Sequence, residues 1–209
     1  RQAVDDVKPG VAFCTEIQPG NKDTIEAITG SWDQYSSSVP MPEVNLLRFV
    51  LPEHFSPMID RWSVGEKKDM LIKRAVFNGT GIVIWQDIFG SWLPYSREQK
   101  HRIKKWKEIL QNNKDIYFGS ESTPLYPTMK KGLFCNCFAA DDGNAVIFTL
   151  YNETKECISG DLLACKTTEL LYVEELWQGA AITRKGCGSR EILCGDIEGE
   201  ELLIIRLTR

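Results

Sequence analysis

Residues 133 to 154 read LFCNCFAADDGNAVIFTLYNET, and two apolar runs, Leu133 to Ala139 and Ala145 to Asn152, are separated there by Asp141-Asp142-Gly143-Asn144. Gly and Asn tolerate positive φ, so this short polar break predicts a tight turn and the whole segment a β-hairpin. The same rhythm continues to the C-terminus, with strand-like runs at Ile158 to Leu163, Leu170 to Trp177, Arg190 to Cys194 and Glu201 to Leu207, each bounded by turn residues. No helical periodicity follows Asn113. The expectation is a small antiparallel β-sandwich containing no helix longer than two turns.

Upstream of this region the period changes. Val11 to Cys14, Asn45 to Leu51 and Gly81 to Trp85 are near-continuous apolar runs ended by Thr15-Glu16, Pro52-Glu53-His54 and Gln86-Asp87. Such runs are expected of parallel strands covered on both faces. Between the second and third lies Glu66 to Phe77, with Met70, Leu71, Ala75 and Val76 at helical spacing and Asn78-Gly79 as a stop. After the third, Ser96 can cap a helix from Arg97 to about Asn112, on which Ile103, Trp106, Ile109 and Leu110 form one apolar stripe. Alternating strand and helix implies parallel strands joined by crossovers, in a doubly wound sheet or a barrel. The spacing therefore predicts neighbouring parallel strands near residues 11–15, 46–51 and 81–85. The segment 115–131, interrupted by Pro124, Pro127 and two glycines, carries the boundary. Residues 1–115 are read as barrel-derived and 116–209 as the β-sandwich.

The chain has 209 residues, 43% of them hydrophobic and 26% charged, enough for a sizeable core. A formal net charge of −4 with no basic run argues against a nucleic-acid partner. No stretch approaches the ~20 apolar residues of a membrane-spanning helix, so no membrane partner is expected. The opening RQAVDDVKPG has no signal-like apolar region and does not start with Met, which suggests a truncated or processed chain. The seven cysteines, Cys14, Cys135, Cys137, Cys157, Cys165, Cys187 and Cys194, form no paired C-x-x-C set. Free, mostly buried thiols are expected, with a bridge inside the second half left open. No metal site and no cofactor is indicated, and no Gly-rich phosphate loop follows a strand.

In a (β/α)-barrel the residues at the C-terminal ends of the strands form the functional face. That rule selects Glu16, Glu53 with His54, and Asp87. A carboxylate so placed can protonate a leaving group when its surroundings raise its pKa, and glycoside hydrolysis uses two such groups ~5 to ~9 Å apart. Glu16 is the best single candidate for catalysis; an N-cap, a turn or a salt bridge is the structural alternative for each carboxylate. Apolar ring faces that stack on sugars complete a carbohydrate subsite, and Trp32 and Trp92, in loops after strands, suit that role better than Trp85 or Phe89. His54 can hydrogen-bond a substrate hydroxyl or serve a structural bond. Asn78-Gly-Thr80 and Asn152-Glu-Thr154 match N-glycosylation acceptors.

The order GIVIWQD at 81–87, a Lys/Arg-rich helix with a Trp, and the strand-rich segment with Thr149-Leu150-Tyr151-Asn152 resembles the end of glycoside-hydrolase-like (β/α)8 barrels. The likeness is to melibiase-like (α-galactosidase-like) barrels and to a related, uncharacterised bacterial family. The resemblance implies a carbohydrate substrate, with the N-terminal part of the same barrel supplied upstream. In that family the nucleophile follows the fourth strand and the acid/base the sixth, both usually Asp. With the three strands taken as the last of eight, Glu16 occupies the acid/base place and the nucleophile precedes residue 1. The competing expectation is a non-catalytic carbohydrate-binding or structural accessory module, whose strand-end carboxylates only bind hydroxyls.

Overall fold

The computed structural model describes residues 2–15, 21–31, 41–54, 56–60, 65–84, 94–166 and 172–209. Its first half contains a short helix, α1 (Gln2–Asp5), and two pairs of short parallel strands. β1 (Cys14–Thr15) pairs with β2 (Gly30–Ser31) across α2 (Lys22–Ala27), whose N-cap Asn21 accepts a hydrogen bond from Thr24 N at 2.9 Å. β3 (Met58–Asp60) pairs with β4 (Ile82–Ile84) across α4 (Glu66–Phe77). Each pair is a strand, helix, parallel strand unit, as the alternation of the sequence implies.

One expected strand is a helix. The apolar run at 46–51 predicts the middle strand, yet Leu46–Val50 is α3. A six-residue apolar run cannot be assigned by periodicity alone, and the flanks decide it. Asn45 Oδ1 accepts from Arg48 N at 3.4 Å, and Leu51 N donates to Leu47 O at 2.9 Å. Arg48 and Phe49 are buried side by side, and Leu46 and Val50, one turn apart, are exposed. The partner of β4 is instead Met58–Asp60, too short a run to stand out in the sequence.

Two longer helices cover the strands. α4 matches its predicted span and ends at Asn78 and Gly79. Gly79 has φ +62°, and a Cβ there would lie 2.7 Å from Tyr117 Cδ1 and 3.0 Å from Phe138 Cζ, so both conformation and space require glycine. α5 (Arg97–Asn112) begins with a capping box: Gln99 N donates to Ser96 Oγ at 3.1 Å and Ser96 N to Gln99 Oε1 at 3.0 Å. Gln99 Nε2 also reaches Asp69 Oδ2 at 3.0 Å, tying α5 to α4. Trp106, in the middle of the apolar stripe, is buried and donates from Nε1 to Thr80 O at 2.7 Å. A single-turn helix, α6 (Lys114–Tyr117), follows.

The rest of the chain is antiparallel. β5 (Leu133–Ala139), β6 (Ala145–Asn152), β11 (Leu202–Thr208) and β8 (Tyr172–Glu175) form one sheet in that order, and β7 (Ile158–Cys165), β10 (Arg190–Ile197) and β9 (Thr183–Cys187) form the other. The turn between β5 and β6 is held by Asn144 N donating to Asp142 Oδ1 at 2.9 Å, with Gly143 at φ +69°. No apolar run in the sequence predicts β9. Thr183–Cys187 is an edge strand, mostly exposed and polar, so it carries no alternating pattern to read.

The four-stranded sheet is buried on both faces. Leu133, Cys135, Cys137, Val146, Phe148, Leu150, Leu203, Ile205 and Leu207 face the second sheet, with Leu162, Leu163 and Leu193. The alternate residues Phe138, Ile147, Tyr151, Leu202 and Ile204 join a second cluster with Leu71, Ile72, Phe77 and Trp106 of the helices. This double burial is why β6 and β11 read as continuous apolar runs. Polar groups lock the layers together: Asn136 Nδ2 at 3.0 Å and Thr149 Oγ1 at 2.7 Å both donate to Phe77 O at the end of α4.

Candidate functional site

β1 ends at Thr15, immediately before Glu16, β2 ends at Ser31, before Trp32, and β4 ends at Ile84, three residues before Asp87. Glu16, Trp32, Asp87 and Trp92 themselves lie outside the described residues. Of the sequence candidates the structure describes Glu53 and His54. Both lie in a different place from the one expected. They follow helix α3, not a strand, and lead into β3, so they sit on the loop before a strand. The argument from a strand's C-terminal end does not apply to them.

Glu53 and His54 line a cleft of about 480 Å³ with Ile25, Glu26, Ile28, Thr29 and Leu51. Glu53 is exposed and His54 is buried. His54 Nε2 lies 3.0 Å from Ser31 Oγ, which is itself fully buried at the end of β2. Backbone bonds fix this end of the molecule: His54 N donates to Leu51 O at 2.9 Å, and Thr29 N to Phe13 O at 2.7 Å. Burial pushes the His54 imidazole below its ordinary pKa, partly offset by the charge of Glu53. The neutral ring is therefore the favoured state, and its contact with Ser31 ties α3 and the following loop to β2. Ser31 was not singled out in the sequence. Only its juxtaposition with a histidine 23 positions away gives it a role.

A second cleft, about 430 Å³, opens between the two sheets beside Tyr126, Cys137, Phe148, Cys165, Lys166 and Arg190, and none of the candidates borders it. Burial raises the Cys137 thiol to about 12 and Cys135 well above its ordinary value, so both are inert neutral thiols at physiological pH. None of the seven cysteines is in a disulfide; Cys14, Cys157 and Cys187 are exposed and the other four buried. Among the described residues no three His, Cys, Asp or Glu side chains are grouped to hold a metal, and no helix is long and apolar enough to cross a membrane.

Both N-glycosylation motifs are structural. Asn78 is fully buried, donating to Glu43 O at 2.8 Å and Arg74 O at 3.0 Å and accepting from Asn45 N at 2.8 Å. Asn152 is equally buried and donates to Glu156 O, Ile197 O and Glu198 O. Neither amide is accessible in the folded chain.

No protein-family model and no curated protein matches the sequence. Solved structures do. The chain is similar to a debranching enzyme from Nostoc punctiforme, with a TM-score of 0.64 and 10% identity, over 100% of this chain and 54% of that one. It is similar to an α-amylase from Geobacillus thermoleovorans complexed with acarbose, with a TM-score of 0.63 and 14% identity, over 100% of this chain and 56% of that one. A maltogenic α-amylase from Thermotoga neapolitana gives a TM-score of 0.60 at 13% identity, over 100% of this chain and 57% of that one. The chain has a fold found in glycoside hydrolases and spans about half the length of the solved structures it matches.

Proposed function

We propose that the chain is the C-terminal part of a glycoside hydrolase, comprising the closing strands and helices of a (β/α)8 barrel and the β-sandwich packed on it, with Glu16 as a catalytic carboxylate. The observation that carries this reading is the two parallel strand pairs, three of whose strands end one to three residues before the candidates Glu16, Trp32 and Asp87, in a chain similar over its whole length to about half of several α-amylases and a debranching enzyme. Parallel neighbours end at the same edge, so Thr15 and Ser31 share a rim, as do Asp60 and Ile84. On this reading Glu16 delivers a proton to the leaving oxygen, Trp32 and Trp92 stack on sugar rings, Asp87 binds hydroxyls, and the nucleophile or second base lies upstream. His54 acts as a positioning residue, holding Ser31 and with it the end of β2. Glu53 lines the cleft it shares with Glu26.

One observation favours a different register within the same reading. The described residues contain four parallel strands before the antiparallel region, not three. If these close the barrel, β1 is the fifth strand and β2 the sixth. In the α-galactosidase-like register the acid/base then follows Ser31, where Asp33 stands in the sequence. The test is a comparison, in the longer protein, of Glu16→Gln with Asp33→Asn on a panel of 4-nitrophenyl glycosides and unactivated oligosaccharides. The acid/base variant loses kcat/KM on unactivated substrates and keeps most of it on aryl glycosides, whose leaving groups need no proton. Full activity in both variants would leave the non-catalytic carbohydrate-binding reading.

A further inference from the structure

The cleft of about 430 Å³ between the two sheets is bordered by none of the residues proposed for glycoside chemistry. The strand ends around it carry small side chains, Ala139 on β5, Ala145 on β6 and Ala164 on β7, and these leave the space open. Deeper in, the wall is apolar: Val146, Phe148 and the ring of Tyr126, whose centroid lies 5.2 Å from that of Phe148. The polar atoms of this wall have partners, since Tyr126 Oη donates to Ala164 O at 3.1 Å and Cys165 Sγ to Glu191 O at 3.7 Å. A sugar, whose hydroxyls need donors and acceptors, finds little there. The charged residues that line the cleft are both cations, Lys166 and Arg190, and both are exposed. The register of β7 and β10 pairs Cys165 with Glu191, so at the next step Lys166 stands opposite Arg190. Like charges so placed repel. The acids nearby are engaged elsewhere: Glu191 accepts from Arg184 Nε at 2.6 Å, Asp141 from Ser120 N at 2.7 Å and Asp142 from Asn144 N at 2.9 Å.

We propose that this cleft binds a medium-chain aliphatic carboxylate, with its tail between the sheets and its carboxylate between Lys166 and Arg190. The volume falls in the range of roughly 300–1,000 Å³ typical of small-molecule sites. From Ala145 to Phe148 the wall runs about 10 Å at ~3.3 Å per residue, room for the tail of octanoate. The tail displaces water from apolar side chains, and the neutral thiols of Cys137 and Cys165 serve there as small apolar groups. The carboxylate supplies the counter-charge that the facing cations lack on the lining, through charge-assisted hydrogen bonds. A neutral apolar molecule would fill the same space and leave that repulsion in place.

The test is calorimetric titration of the whole chain with sodium octanoate, octanol, sodium acetate and maltotriose, together with amide proton–nitrogen spectra at saturation. Octanoate should bind once per chain and shift the amides of Ala139, Val146 and Ala164, whereas octanol should bind about tenfold more weakly for want of a charge. Acetate and maltotriose should give no heat of binding. Lys166→Gln combined with Arg190→Gln changes two exposed side chains and should lower octanoate to the affinity of the alcohol. Absence of octanoate binding, octanol binding as tightly as octanoate, undiminished octanoate binding in the double variant, or shifts confined to other surfaces would each overturn the proposal. Displacement of octanoate by maltotriose would overturn it too, and make the cleft a sugar site.

Discussion

The carbonyl of Phe77 joins the helical layer to the sandwich, and a double-mutant cycle on its two donors is the most searching stability test. Phe77 ends α4, no backbone N–H among the described residues donates to its oxygen, and its side-chain donors are Thr149 Oγ1 at 2.7 Å and Asn136 Nδ2 at 3.0 Å. Thr149→Val is nearly isosteric and removes one net hydrogen bond, costing about 1 kcal/mol while Asn136 still serves the carbonyl. Asn136→Leu removes the other and also strands Leu125 N, which donates to Asn136 Oδ1 at 3.0 Å, so it should cost about 2–4 kcal/mol. In the double variant the buried carbonyl loses both donors, and its full desolvation penalty should add about 1–2 kcal/mol beyond the sum of the singles. Equilibrium urea unfolding at matched m-values measures this, and each kcal/mol should move Tm by about 2–4 °C in a chain of this size. A double variant additive to within about 0.3 kcal/mol would show that the carbonyl does not depend on the pair.

Further outcomes follow from single residues. Gly79→Ala should cost more than about 1 kcal/mol in urea unfolding, because φ +62° is unfavourable for alanine and the new Cβ meets Tyr117 and Phe138. His54 is held below its ordinary pKa, so the fold prefers the neutral ring. Its contribution is present above the unfolded value of about 6.5 and is lost as pH falls through the folded one. Wild-type protein should therefore lose more Tm between pH 7.5 and 5 than His54→Gln, and equal losses would refute the shift. With an aromatic disulfide reagent, Cys14, Cys157 and Cys187 should react quickly in the native protein and the four buried thiols only on unfolding; prompt reaction of more than three would contradict the burial.

Much of the fold was legible because its signals are local. The helix at 66–77, the capped helix from Ser96 and the hairpin at 141–144 each carry their start and stop residues in the sequence. The error at 46–51 arose because an apolar run of that length fits either secondary structure, and what decided it was an Asn45 cap and tertiary burial of Arg48. Met58–Asp60 and Thr183–Cys187 were invisible for the opposite reason, one being too short and the other too polar to show a period. The site was less legible still. The strand-end rule selected Glu53 and His54 on the strength of a strand that is a helix, and the partnership of His54 with Ser31 spans two elements that no local pattern connects. Arg48, on an apolar run, gave no sign that it is a buried cation bonded to backbone carbonyls.

On the proposed reading this chain supplies a catalytic carboxylate to a glycoside hydrolase. The most direct measurement is kcat/KM for Glu16→Gln in the longer protein on an unactivated oligosaccharide, set beside an aryl glycoside with a good leaving group. We predict a fall of about 10²–10⁴-fold on the former and a much smaller one on the latter, since an amide delivers no proton to the leaving oxygen. Wild-type turnover of the oligosaccharide by the variant would contradict the assignment, and if Asp33→Asn showed the lost activity instead, the acid would move to the end of β2.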